Sequence, residues 1–221
     1  MPRFPQKKAT HGSQRWIQFF VNKRPDIFNK NIGLGNINWL SPLKSDEFAE
    51  YRDKVFLDLL GIRLKKRQLS DFWPSRGPQW DALGMSESGE AILVEAKAHV
   101  QEIFSPPTQA SPESLKLIVK SLAETASRFH AQPGLDWSRR FYQYANRLVH
   151  AFLLKELNNI PTRLLFIYFI GDTEMNGPET KREWQTAIEV MHEALGLRKR
   201  IPPYISDVFI DIRGFYFQHE R

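Results

Sequence analysis

The chain has 221 residues, 42% of them hydrophobic, and carries 31 Lys and Arg against 25 Asp and Glu, a formal charge of +6. That is enough apolar content for one large domain with a substantial core, and the basic balance favours a polyanionic partner. There is no cysteine, which excludes disulfides, zinc–thiolate sites and cysteine nucleophiles and fits a reducing, cytoplasmic setting; no run of about 18 apolar residues is available to span a membrane.

Residues 1–12 are basic and proline-bearing, lack an apolar stretch of signal-peptide type, and are expected to be mobile. Between 13 and 32, Trp16, Ile17, Phe19, Phe20, Val21, Ile27, Phe28 and Ile32 alternate with Arg15, Lys23, Arg24 and Lys30. Ser13 offers an N-cap for a helix over 14–22, and Pro25 opens a second. Residues 1–40 read as a basic, aromatic arm packed on a domain of 41–221, its aromatics buried against the core. Basic residues among aromatics also suit charge-plus-stacking contact with nucleic acid. The stretch 36–44 reads as a connector. Ser45, with acidic residues after it, predicts a helix from about 46 to Gly61 whose apolar stripe is Phe48, Tyr51, Val55, Leu59 and Leu60. Residues 62–72 alternate loosely and predict an edge strand guarded by Arg63, Lys65, Lys66 and Arg67.

From Pro78 to Val100 two apolar runs flank a polar segment containing Gly89, the form of a β-hairpin. In the second run Ile92, Val94, Ala96 and Ala98 share one face, and Leu93, Glu95, Lys97 and His99 the other. A turn centred near Ser88 sets Asp81 opposite Glu95, with Cβ atoms roughly 4.5–5.5 Å apart. Two carboxylates that close repel unless a cation sits between them, and Mg²⁺ is commonly held by one or two carboxylates together with water and phosphate. Glu95 and Lys97 would otherwise be an ordinary solvated pair worth little.

After a proline-bearing loop, helices are expected over 113–130 and 138–158, a buried strand over 163–170, a helix over 178–195 and a last strand over 207–212. On the second of these helices Gln143, Asn146 and Arg147 fall on one side. Strands separated by crossover helices must pair in parallel, so the sheet should be mixed. The six histidines show no close metal-ligand spacing; His99 shares the face of Lys97.

Asp81, thirteen intervening residues and then Glu95-Ala96-Lys97 resemble the signature of the PD-(D/E)XK nuclease superfamily, although the proline of the family's Pro-Asp pair stands three residues ahead, at Pro78. The resemblance covers roughly residues 45–170. It implies an α/β, restriction-endonuclease-like α-β-β-β-α-β core, a mixed central sheet flanked by helices. It implies a Mg²⁺-dependent deoxyribonuclease of defence or repair (Mn²⁺ as substitute), acting on DNA or RNA and leaving room for a homodimer, or else a catalytically silent nucleic-acid-binding module of the same fold within a larger assembly. Asp81, Glu95 and the Ala96 carbonyl would hold the metal, and Lys97 would serve the attacking water and the phosphate. A helix ahead of the sheet often adds an acid in this family. Glu47, at the edge of the apolar stripe, is the slightly better candidate, and Glu50 projects away from it. Gln143 is the candidate for a polar support contributed by a later helix, with Arg147 standing where the RecB-type branch has a tyrosine.

Overall fold

The computed structural model describes residues 3–197 and 201–218. In chain order they form β1 (Arg3–Phe4), α1 (Gly12–Lys23), α2 (Pro25–Ile32), β2 (Ile37–Ser41), β3 (Glu50–Tyr51), α3 (Asp53–Leu59), β4 (Ala82–Ser86), β5 (Ala91–Lys97), α4 (Pro112–Arg128), α5 (Tyr142–Phe152), β6 (Thr162–Ile170), α6 (Lys181–Ala194) and β7 (Ile205–Asp211). The architecture is α/β. A five-stranded mixed sheet runs β2-β4-β5-β6-β7, and β1 and β3 form a separate two-stranded ribbon. The β2-β4-β5 half is antiparallel and the β5-β6-β7 half parallel. The change of direction falls at β5, because the β4–β5 connection is a tight turn whereas α4 and α5 intervene before β6 and α6 before β7.

Both faces of the sheet are covered. Ile92, Val94 and Ala96 of β5, and Ala98 just beyond it, lie with Leu165, Ile167 and Phe169 of β6 against Trp16, Phe19, Phe20 and Phe28 of α1 and α2. Leu93, Leu164, Phe166 and Tyr168 face Leu148, Phe152 and Trp184 on the other side. The alternation read from the sequence therefore divides the strands correctly, but neither set meets bulk water.

Several expectations are corrected. Residues 3–12 are tied down rather than mobile: β1 pairs with β3, Gln6 N–H donates to the Glu47 carbonyl, and Ala9 N–H donates to the Gln18 side chain. The aromatics of α1 and α2 are buried against one face of the sheet, as expected, with Trp16 and Phe20 fully enclosed. The supposed connector contains β2, whose Ile37 and Trp39 point into the α1–α2 layer. Gly84 on β4 permits its close approach, since a Cβ there would lie 2.8 Å from Ile37 Cγ2 and 3.1 Å from the Asn38 carbonyl oxygen.

Residues 62–72 form no strand. Asn158, just after α5 and its π-helical extension (Leu153–Leu157), accepts the N–H groups of Lys65, Lys66 and Arg67 on its side-chain oxygen at 3.0–3.2 Å. Those donors are thereby withdrawn from any ladder. The first of the three antiparallel strands is β2, well upstream of the stretch the alternation suggested. The helix expected from 46 begins only at Asp53, because Glu47 and Phe48 take left-handed backbone conformations and Asp46 is engaged by Arg3 and Tyr51. Its end at Leu59, with Gly61 at φ +68°, agrees with the reading. The later helices and strands fall where periodicity put them; α5 starts at Tyr142 rather than 138. Among the described residues no helix is long and apolar enough to cross a membrane.

Truncating Trp16 should cost what a core aromatic costs, not what an appended arm costs. Trp16→Ala is expected to lower unfolding free energy by about 3–5 kcal/mol in urea titration; a loss under about 1 kcal/mol would mean α1 is dispensable to the fold.

Candidate active site

The hairpin is closed by a five-residue turn. Ser86 and Glu90 pair through their backbones, Ser86 Oγ accepts Glu90 N–H at 2.9 Å, and Gly89 supplies φ +79°. The register follows from that turn: Ala82 pairs with Val94, Leu83 with Leu93, Gly84 with Ile92. Asp81 continues the strand at its open end. Its N–H donates to the Val94 carbonyl at 3.2 Å, and its Oδ2 accepts Ala96 N–H at 2.7 Å. The side chain thus straddles Glu95, as the spacing predicts. Among the described residues, Asp81 Oδ1 has no hydrogen-bond donor.

Glu95 points inward and is 1% exposed, which disposes of the solvated surface pair. Lys97 Nζ donates to Glu95 Oε1 and, at 3.0 Å, to Gln143 Oε1. Arg147 Nε donates to Glu95 Oε2 at 2.6 Å, while its other nitrogens reach the Gln79 carbonyl and Asn146 Oδ1, each at 2.8 Å. The guanidinium also stacks over Trp80 at 5.1 Å. Gln143 and Arg147 meet the site together because they are one helical turn apart on α5. The helix is oriented there by Gln143 N–H, which donates to Ser105 Oγ at 2.8 Å.

The two upstream glutamates resolve clearly. Glu47 is exposed and paired with Arg3 at 2.9 Å, away from the hairpin. Glu50 is 7% exposed and close enough that its charge bears on Asp81. The preference for Glu47 assumed a helix that does not form; on the two-residue strand β3, Glu50 turns inward. Its carboxylate is held by three amides, Gln79 together with Gln14 (3.1 Å) and Gln6 (3.4 Å). No spacing in the sequence marks these glutamines; Gln6 and Gln14 arrive because the segment after β1 and the start of α1 fold over β3, and Gln79 because its neighbour Trp80 pairs with Tyr51 of β3. His99 faces Glu102 at 3.7 Å rather than the Lys97 cluster.

Three acids and two cations therefore share one patch, and their charges divide unequally. Burial alone would push Glu95 up, but Arg147 and Lys97 more than reverse this and hold it below the ordinary carboxylate range. Asp81 goes the other way: burial, then the charges of Glu95 and Glu50, push it well above its usual value, against the weaker pull of Lys97 and Ala96 N–H. Glu50 is raised, chiefly by burial, despite its amide partners. Glu50, Asp81, Gln143 and Arg147 line an open cleft of about 510 Å³ whose other walls include Gln79, Phe104, Pro106, Pro107 and Tyr142. Lys97 and Glu95 are more deeply placed, their side chains 11% and 1% exposed, and are joined to the lining through Gln143 and Arg147.

The donor set suits a hard cation. Asp81 offers an oxygen with no hydrogen-bond partner and a charge that its neighbours repel, and Glu95 adds a second carboxylate. No group of three or more His, Cys, Asp or Glu among the described residues is gathered to hold a metal, so a site here would be of the two-carboxylate kind in which water and phosphate complete the coordination, as Mg²⁺ accepts.

In comparison with known proteins, the chain matches no family model, no curated protein and no solved structure. The geometry of Asp81, Glu95 and Lys97 therefore carries the functional argument by itself.

A carboxyl group whose folded pKa is raised stabilises the protein below its unfolded pKa, and that contribution is lost as pH rises through the folded value. Asp81→Asn keeps an acceptor for Ala96 N–H and removes the repulsion. It should raise the Tm at pH 7 while leaving it unchanged near pH 3, where Asp81 is protonated in either state. Equal Tm values for the two proteins at both pH values would show that Asp81 is not under electrostatic strain.

Proposed function

We propose that the protein is a metal-dependent nuclease with a restriction-endonuclease-like core that hydrolyses DNA phosphodiester bonds. The observation that supports the reading is the convergence of Asp81, Glu95 and Lys97 beside an open cleft lined by Asp81, Gln143 and Arg147, the latter two holding the lysine and the glutamate in place. Asp81, Glu95 and the Ala96 carbonyl would hold Mg²⁺, or Mn²⁺ in its stead. The ion would supply charge neutralisation at the scissile phosphate. Lys97, suspended between Glu95 and Gln143, orients the attacking water and steadies the charge that develops on the phosphate oxygens. Arg147 keeps Glu95 ionised and fixes its direction. Glu50 adds negative charge behind Asp81, which increases the attraction of the site for a cation. The net charge of +6 assists the approach of a polyanion.

A second reading has one observation in its favour. Both oxygens of Glu95 are already engaged by Lys97 and Arg147, an arrangement that would also suit a silent binding module of the same fold. Such a module binds DNA in a salt-sensitive manner without turnover.

Incubation with linear, circular, single-stranded and branched DNA separates the two. With Mg²⁺ or Mn²⁺ the protein should cleave at least one form, and with EDTA none. Lys97→Ala should lower the rate by at least about 100-fold with little change in Tm, whereas Glu47→Ala should cleave normally. Normal cleavage by Lys97→Ala would place the chemistry elsewhere; binding without metal-dependent cleavage would establish the silent module.

A further inference from the structure

Phe104 stands apart from the other aromatic rings among the described residues, which are buried or half-buried. At 57% exposure it is the one aromatic side chain among the described residues that lies largely in solvent. It is also a wall of the cleft that contains Asp81 and Arg147. The ring is backed on one side by Phe141, with centroids 5.1 Å apart at 38°, so its outward face is presented rather than loose. The segment carrying it is fastened: Phe104 N–H donates to the Gln101 carbonyl, Ser105 Oγ accepts Gln143 N–H, and Thr108 N–H donates to the Ser138 carbonyl. Pro106 and Pro107 stiffen the turn between these anchors. Phe104 is thus tied through Ser105 to the glutamine that holds Lys97.

An exposed apolar ring costs solvation, and beyond its one face on Phe141 this one is not enclosed by the core. A supported aromatic face on the wall of an open cleft that also holds Arg147 is a surface on which an unpaired base can stack. In duplex DNA the base faces are occupied by their neighbours and cannot lie on such a platform without unstacking.

We propose that Phe104 is a stacking platform for an unpaired base next to the scissile phosphate, and that the protein selects nucleic acid with single-stranded character at the cleft: a single strand, a flap or a frayed end. The proposal rests on the nuclease reading for the identity of the cleft, but its test does not require cleavage.

The measurement is equilibrium binding of the full chain, in EDTA, to a single-stranded oligonucleotide carrying 2-aminopurine and to a blunt duplex of the same sequence. The wild-type protein should bind the strand more tightly than the duplex and change the 2-aminopurine emission as the base stacks. Phe104→Ala should weaken strand binding by about tenfold, leave duplex binding unchanged and lose the emission change. Phe104→Trp should restore all three, and both variants should melt with the wild type. The proposal is overturned if the wild type binds neither ligand, if Phe104→Ala binds the strand as the wild type does, or if it loses strand and duplex binding equally. If strand binding behaves as described but Mg²⁺ brings no cleavage, only the catalytic reading falls. If duplex is cleaved and Phe104→Ala is indifferent to strands, only the platform does.

Discussion

The buried carboxylate of Glu95 is the point to which the rest of the site is fitted. It sits in the central strand, and charge in that position is tolerable only if opposite charge and hydrogen bonds surround it. Lys97 comes from the same strand two residues on, Arg147 from a helix fifty-two residues later. Arg147 in turn reaches the backbone of Gln79, just ahead of the strand that delivers Asp81. A single ion cluster thus locks α5 to both arms of the hairpin. Such clusters are poor investments in stability compared with a packed apolar core, and a sheet covered on both faces has no structural need of one. A buried acid kept there, with a second acid placed where the first repels it, is the arrangement on which the proposed nuclease site rests.

The division of charge among the three acids gives each a different character. Glu95 is fully compensated and stays ionised. Asp81 has one backbone donor and two repelling neighbours. Glu50 is wrapped in neutral amides, which orient a carboxylate without cancelling its charge. The patch as a whole therefore has a deficit of positive charge centred on Asp81, and the cleft opens onto that deficit.

How much of this could be read beforehand follows from the range over which each feature is determined. The hairpin was legible because its register is fixed within a few residues by Gly89 and by strict alternation; Asp81, Glu95 and Lys97 followed directly. Gln143 and Arg147 were visible as a helix face, but not the carboxylate they serve, because periodicity shows which residues align and not what they meet. The choice of Glu47 over Glu50 failed through a local rule that was sound and overruled. Ser45, Asp46 and Glu47 make a good helix start, yet Asp46 is taken by Arg3 from forty-three residues away, and no window of sequence contains both. The strand expected at 62–72 failed similarly: its alternation is real, but Asn158 captures three of its N–H groups from over ninety residues downstream. Strand β2 went unrecognised because five residues beside a proline carry too little pattern to stand out.

The covering of both sheet faces also decides from which direction a large ligand can come. With α1 and α2 on one side and α4, α5 and α6 on the other, no broad surface of the sheet remains open. The start of β4 and the finish of β5 coincide, since the two run oppositely, and β6 and β7 finish at that same rim. A polymer reaching Asp81 must therefore lie across the tips of the strands, in the manner of ligands at the carboxyl ends of parallel sheets. On the nuclease reading such a polymer would meet the protein as a rail meets a row of posts, at their tops.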